Sequence, residues 1–70
     1  MKTYRCNFLD ELGDALRAYN IDCPNDSEAI SHAMSRTTTV AGCRQVEIYD
    51  GVRTVVTYRI RALPGFTNLN

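Results

Sequence analysis

The chain has no tryptophan, only two prolines and no surplus of either charge, with eight basic side chains against eight acidic ones in 70 residues. A net charge of zero leaves out the strong electrostatic footprint that marks proteins bound to nucleic acid or anionic lipid. No apolar run approaches the roughly 20 residues needed to span a bilayer, so no membrane partner is expected. Lys2 is followed by Thr3, Tyr4, Arg5, Cys6 and Asn7, which is not the pattern of a signal peptide. The three cysteines, odd in number and widely spaced, fit a reducing compartment better than a disulfide scaffold. The expected location is cytoplasmic. Repeats, linkers and low-complexity runs are also missing.

The cancelling totals hide a gradient. Residues 1–35 hold three basic and six acidic groups, and residues 36–70 hold five and two. The length allows one small domain. A chain of this size buries only about 60% of its unfolded surface, so its stability is marginal without a disulfide, a metal or a second subunit.

The most legible stretch is a helix start at Asn25. Its side chain can accept a hydrogen bond from a free amide of the first turn, and Glu28 three places on completes a capping pattern. Pro24 sets an extended approach, while Asp26 and Glu28 lie at the positive end of the helix dipole. Ala29, Ile30, Ala33 and Met34 then recur at helical spacing as a narrow apolar stripe. The residues from Ser35 to Thr39 are poor helix formers, which puts the end near Thr38.

Residues 3–19 carry two patterns at once. Phe8, Leu12, Ala15, Leu16 and Tyr19 share one face at helical spacing. Tyr4, Cys6 and Phe8 also alternate with Thr3, Arg5 and Asn7, the period of a half-buried strand. A glycine inside a helix costs about 1 kcal/mol relative to alanine, whereas Gly13 can supply the left-handed residue of a hairpin loop. A hairpin is therefore preferred, with strands over 2–9 and 15–22.

The run Tyr4-Arg5-Cys6-Asn7-Phe8-Leu9-Asp10, then Gly13, Ile21-Asp22-Cys23 and Asn25-Asp26-Ser27-Glu28-Ala29-Ile30, resembles a family of short bacterial proteins of unknown function. Their closing hairpin pattern, aliphatic-acidic-aromatic-Asp-Gly-x-Arg, is matched by Val46-Glu47-Ile48-Tyr49-Asp50-Gly51-Val52-Arg53. The likeness covers about residues 3–56. It departs at Tyr49, where tryptophan is common in that family, and in a longer tail. The resemblance implies the strand–turn–strand–helix–hairpin order and no activity.

Parity then sets the expected registers. A loop at Glu11-Leu12-Gly13 pairs Phe8 with Leu16 and Cys6 with Ala18, and needs a bulge near Tyr19-Asn20 to bring Ile21 into the core. A three-residue loop at Tyr49-Asp50-Gly51 pairs Ile48 with Val52 and Val46 with Thr54, uniting Val46, Ile48, Val52, Val56, Tyr58 and Ile60 on one face. The alternative two-residue loop opposes Ile48 to Arg53. The expected fold is α+β, ββαββ, with two antiparallel hairpins in one sheet and one helix packed on one face, over Phe8, Leu16, Val46, Ile48 and Val56. Residues 1–62 form that single domain, and 63–70 are expected to be a flexible tail.

Chemistry is thin. Cys6, Cys23, Cys43 and His32 are the ligand types of a zinc site, yet no close Cys-x-x-Cys or His-x-x-x-His pair exists, so small buried or loop thiols are expected. His32 beside Ser31 has no orienting carboxylate and reads as a surface histidine. Asp10, Glu11 and Asp14 lack the spacing of a calcium loop and read as a solvated turn. No catalytic residue, metal or cofactor is expected. The candidate interaction surface is the sheet face that the helix leaves open: Arg5, Arg53, Arg59 and Arg61, with Tyr19, Tyr49 and Val55 on the same parity. Leu9 and Ala15 are further apolar residues of that parity. A homodimer is the expected partner, through that face or a bare strand edge. Single-stranded nucleic acid on an arginine face with an aromatic is the alternative, opposed by Glu47 on the same face.

Overall fold

The computed structural model describes residues 1–60. It contains β1 (Lys2–Leu9), β2 (Ala15–Cys23), helix α1 (Asp26–Arg36) with a 3-10 turn (Thr37–Thr39), β3 (Gln45–Asp50) and β4 (Arg53–Arg59). The strands form one antiparallel sheet in the order β2-β1-β3-β4. This is the expected α+β, ββαββ arrangement, and the strand order places β1 and β3 at its centre. The tail at 63–70 and Arg61 lie outside the described residues.

The central position of β1 follows from its alternation. Tyr4, Cys6 and Phe8 are buried on one side, while Thr3 and Arg5 are exposed on the other. Val46 and Ile48 of β3 continue the same layer without exposure. Ala29 and Ala33 press the helix onto this layer, their small side chains allowing close approach, and Ile30 packs at its flank.

The helix starts as its sequence demands: the Glu28 amide donates to Asn25 Oδ1 at 2.9 Å. Its end has a physical cause in the Ser-Arg-Thr-Thr-Thr run. Ser35 Oγ donates to the His32 carbonyl (2.8 Å), Thr37 Oγ1 to Met34 (2.8 Å) and Thr39 Oγ1 to Arg36 (2.7 Å), so hydroxyls satisfy last-turn carbonyls.

Both hairpin registers differ from expectation: each contains a bulge, and in the second the turn is also different. In the first hairpin Phe8 faces Arg17 rather than Leu16, and Cys6 faces Tyr19 rather than Ala18. The register shifts between Phe8 and Leu9, which leaves Leu16, not a residue near Tyr19-Asn20, as the extra residue. The turn is held by the Asp10 carboxylate, which accepts from the amides of Leu12 and Asp14, both at 2.9 Å. Gly13 supplies the positive φ of +87° that the loop requires. Leu16 ends 38% exposed instead of under the helix, and Ile21 reaches the core because the bulge has already inverted the strand.

In the second hairpin Ile48 faces Val56, not Val52, and Val46 faces Tyr58, not Thr54. Asp50 pairs with Arg53 around a two-residue Gly51-Val52 loop, with Val55 as the bulge residue. Gly51, at φ +63°, occupies the first central position, where a type II′ turn places glycine. Val52 is consequently fully exposed at the tip. A two-residue loop matches the twist of the strands, and the added bulge restores the apolar parity of β4 beyond it.

Candidate interaction surface

The two bulges redistribute the residues expected to share the open face. Arg5, Tyr49 and Arg59 remain there: Arg5 lies directly between Asn20 and Tyr49, and Arg59 faces Gln45. Tyr19, Arg53 and Val55 do not. Tyr19 stands beside Cys6 on the helix side, packed edge-on against Phe8 with ring centroids 5.6 Å apart, and the Arg36 guanidinium lies 4.8 Å from its ring centre. Val55 packs against the core from its bulge position.

The open face is mixed and polar. Its cross-strand rows are Asn20, Arg5, Tyr49 and Thr54; Ala18, Asn7, Glu47 and Thr57; and Ala15, Leu9, Gln45 and Arg59. Glu47 and Asp22 on this parity balance Arg5 and Arg59. Burial and the nearby Glu47 carboxylate push the Tyr49 phenol above its usual range. Leu9 is buried, and Ala15 is exposed at the outer edge of β2. A contiguous apolar patch is thus missing from this face among the described residues.

Arg53 has gone to the helix side for a charge cluster that its sequence position conceals. Its guanidinium donates to both Asp26 carboxylate oxygens, at 3.2 and 3.0 Å, and to Asp50 at 3.0 Å. Lys2 Nζ meets the same Asp50 oxygen at 2.9 Å, and the buried Tyr4 hydroxyl donates to Asp26 at 2.8 Å. Three strands and the helix N-terminus are tied together at one end of the sheet. Hydrogen bonds from Arg53 and Tyr4 hold the Asp26 carboxyl below the usual carboxylate range, and those from Lys2 and Arg53 do the same for Asp50. Lys2 and Arg53 are correspondingly pushed up. Asp26 looked like a helix-dipole residue and nothing more. The signal for its second role was the hydroxyl of Tyr4, a buried aromatic that needs an acceptor.

The thiols do not converge. Cys6 pairs across from Tyr19 and Cys23 from Lys2, four register positions apart, and all three cysteines are free. Burial pushes the Cys6 thiol upward. Among the described residues no group of three or more potential metal ligands comes together, and no helix is long and apolar enough to cross a membrane. His32 and Ser31 are exposed on α1.

The edges differ from each other more than the faces do. β2 carries Arg17, Asn20 and Asp22 along its length. β4 has five uncharged residues, Thr54 to Tyr58, between Arg53 and Arg59. Ile60 donates its amide inward to the Arg44 carbonyl at 2.7 Å. By strand alternation Tyr58 and Val56 also point their amides toward β3, so those of Thr57 and Arg59 point to the free edge. Next to that edge, on the helix side, Val56 and Ile60 are half-buried and Tyr58 is 47% exposed.

Among the described residues these features define a small open-faced α+β domain: one layer of sheet, one helix, a polar outer face and an edge strand, β4, that no described residue covers. No family model, curated protein or solved structure matches the chain.

Proposed function

We propose that this chain is a non-enzymatic interaction module that associates with a second copy of itself through the edge of β4. One observation carries the proposal: the amides of Thr57 and Arg59 point away from the sheet along a strand of high β-propensity that no described residue covers. Unpaired strand edges template further pairing, and native proteins normally blunt them with lysine, proline, a bulge or a covering element; β4 carries one bulge, at Val55, and runs regularly from Val56 to Arg59 beyond it. β4 has charges only at its two ends. The zero net charge of the chain adds no long-range repulsion between copies. A small core also gains from a second subunit. The resemblance to short bacterial proteins and the three free thiols support a cytoplasmic, bacterial setting.

The test uses proline as a probe of amide direction. Thr57→Pro removes an outward amide and leaves the β3–β4 ladder intact, a position where an edge strand tolerates proline. Light scattering across a concentration series is expected to show a dimer for the native chain and a folded monomer for Thr57→Pro. A native chain that stays monomeric at the highest attainable concentration overturns the proposal.

Single-stranded nucleic acid is the second candidate partner, favoured by the direct contact row of Arg5 and Tyr49 with Arg59 on the same face. It is weakened by the loss of Tyr19 and Arg53 from that face and by the presence of Glu47. Binding that weakens steeply with salt and with Arg59→Ala would support it, and no binding at low salt removes it.

A further inference from the structure

Resting on self-association through β4, we infer its geometry: a two-fold axis at Thr57, with β4 antiparallel to its copy in one continuous eight-stranded sheet. Three observations on the strand point there. The first is amide direction. The outward-facing residues of β4 include Thr57 and Arg59, and an antiparallel ladder exchanges hydrogen bonds only between residues whose amides both face the partner. An axis at Thr57 makes Thr57 and its copy such a pair.

The second observation is the bulge. Residues directly opposite one another in a ladder must project to the same face. Val56 and Tyr58 face the helix side, as shown by their pairing with Ile48 and Val46, and Thr57 and Arg59 face outward. Below Val55 the strand is inverted, so Thr54 faces outward and Arg53 faces the helix. With the axis at Thr57, Tyr58 meets Val56 of the second copy on the helix side. With Val55 again the extra residue, Arg59 meets Thr54 of the second copy on the outer side. Every opposed pair then shares a face, and neither Arg53 nor Arg59 is set against its like.

The third observation is the half-covered apolar strip. Helix α1 packs Ala29 and Ala33 over the middle of the sheet, against β2 and β3, and leaves Tyr58, Val56 and Ile60 only partly shielded. A two-fold axis perpendicular to the sheet puts both helices on the same side. The strips of the two copies then adjoin, with two Tyr58–Val56 pairs at the centre and one helix on each flank. Aromatic and β-branched side chains opposite one another are a favourable cross-strand combination. An axis moved to Val56 would instead set the Tyr58 ring against Arg53, which is already engaged by Asp26 and Asp50, and would break up the Tyr58–Val56 pairs, whereas the axis at Thr57 brings Arg53 only opposite Ile60 at the end of the ladder.

The register is tested by single-cysteine cross-linking in a Cys43→Ser background, since Cys6 and Cys23 are buried. At the axis the two Thr57→Cys thiols lie opposite one another, so a short thiol cross-linker is expected to convert the dimer to a covalent one. Thr54→Cys thiols would be about 13 Å apart along the strand, four ladder steps at about 3.3 Å each, beyond the reach of a short cross-linker, and are expected to stay unlinked. Light scattering on the same samples separates the two possible failures. Monomers throughout overturn self-association itself. A dimer that links at Thr54→Cys and not at Thr57→Cys, or at neither, overturns only the axis.

Discussion

Replacing Val52 and Ile48 by alanine, separately, measures which register the second hairpin adopts. With the two-residue turn, Val52 stands fully exposed at the tip while Ile48 is completely buried opposite Val56. An Ile→Ala change in a core costs about 2–5 kcal/mol. A chain of 70 residues at about 0.05–0.15 kcal/mol per residue holds roughly 3.5–10 kcal/mol in total. Ile48→Ala is therefore expected to remove about a fifth or more of the stability and to lower the melting temperature by at least about 8 °C, at roughly 4–8 °C per kcal/mol in a domain of this size. Val52→Ala deletes two methyl groups already in water, and is expected to stay within about 0.5 kcal/mol of the parent. A three-residue loop would instead bury Val52 against Ile48, and its truncation would then cost about 1.5 kcal/mol or more at ~0.8 kcal/mol per buried carbon. Urea unfolding at one fixed protein concentration, with the slope compared as well as the midpoint, makes the comparison free of mass-action effects. A loss above about 1 kcal/mol for Val52→Ala, beyond the range of an exposed site, would refute the bulged register.

Asn25→Ala removes the acceptor of the Glu28 amide and is expected to cost about 1 kcal/mol, read as a lower urea midpoint with an unchanged slope. Stability is expected to depend on pH at both ends. Asp26 and Asp50 are held below their ordinary value of 3.8, so their contribution is complete above it and lost as pH falls through the lowered folded values. Cys6, Tyr4 and Lys2 are held above 9.0, 10.0 and 10.5, so theirs is complete below those values and lost as pH rises through the raised ones. Arg53→Met should flatten the acid limb of a urea-midpoint profile, and an unchanged limb would show that the cluster does not couple to folding. Tyr58→Pro, which deletes an inward amide, should unfold the second hairpin where Thr57→Pro does not; equal circular-dichroism melts for the two would reverse the assigned amide directions.

How legible the chain was can be seen in individual residues. Asn25 and the alternation of Tyr4, Cys6 and Phe8 are local signals, decided by hydrogen-bond reach of a few residues and by the two-residue period of a strand. Both were readable and both describe what the structure contains. Tyr19, Arg53 and Val55 were assigned to the wrong face because parity counts residues from a turn. A bulge changes that count by one, at Leu16 ahead of Tyr19 and at Val55 itself, while Arg53 lies between turn and bulge and changes face because the loop is Gly51-Val52 and not three residues long. Nothing within Leu16 or Val55 marks it as the extra residue, since both are apolar and fit a strand equally well. Asp50-Gly51 was a correct turn signal, but the glycine occupies the first central position rather than the last loop position.

The sequence alone determined the element types, the helix start and the balance of charge, because each depends on local spacing or on composition. Only the tertiary structure decided the strand order β2-β1-β3-β4, the two bulges, and the clustering of Lys2, Asp50, Arg53, Asp26 and Tyr4 from four separate elements. The physical reason is that a bulge is favoured by what the shifted strand gains beyond it. Skipping Leu16 brings Tyr19, Ile21 and Cys23 under the helix, and skipping Val55 brings Arg53 to Asp26. Those gains come from residues distant in the chain, and no local count of alternating side chains contains them.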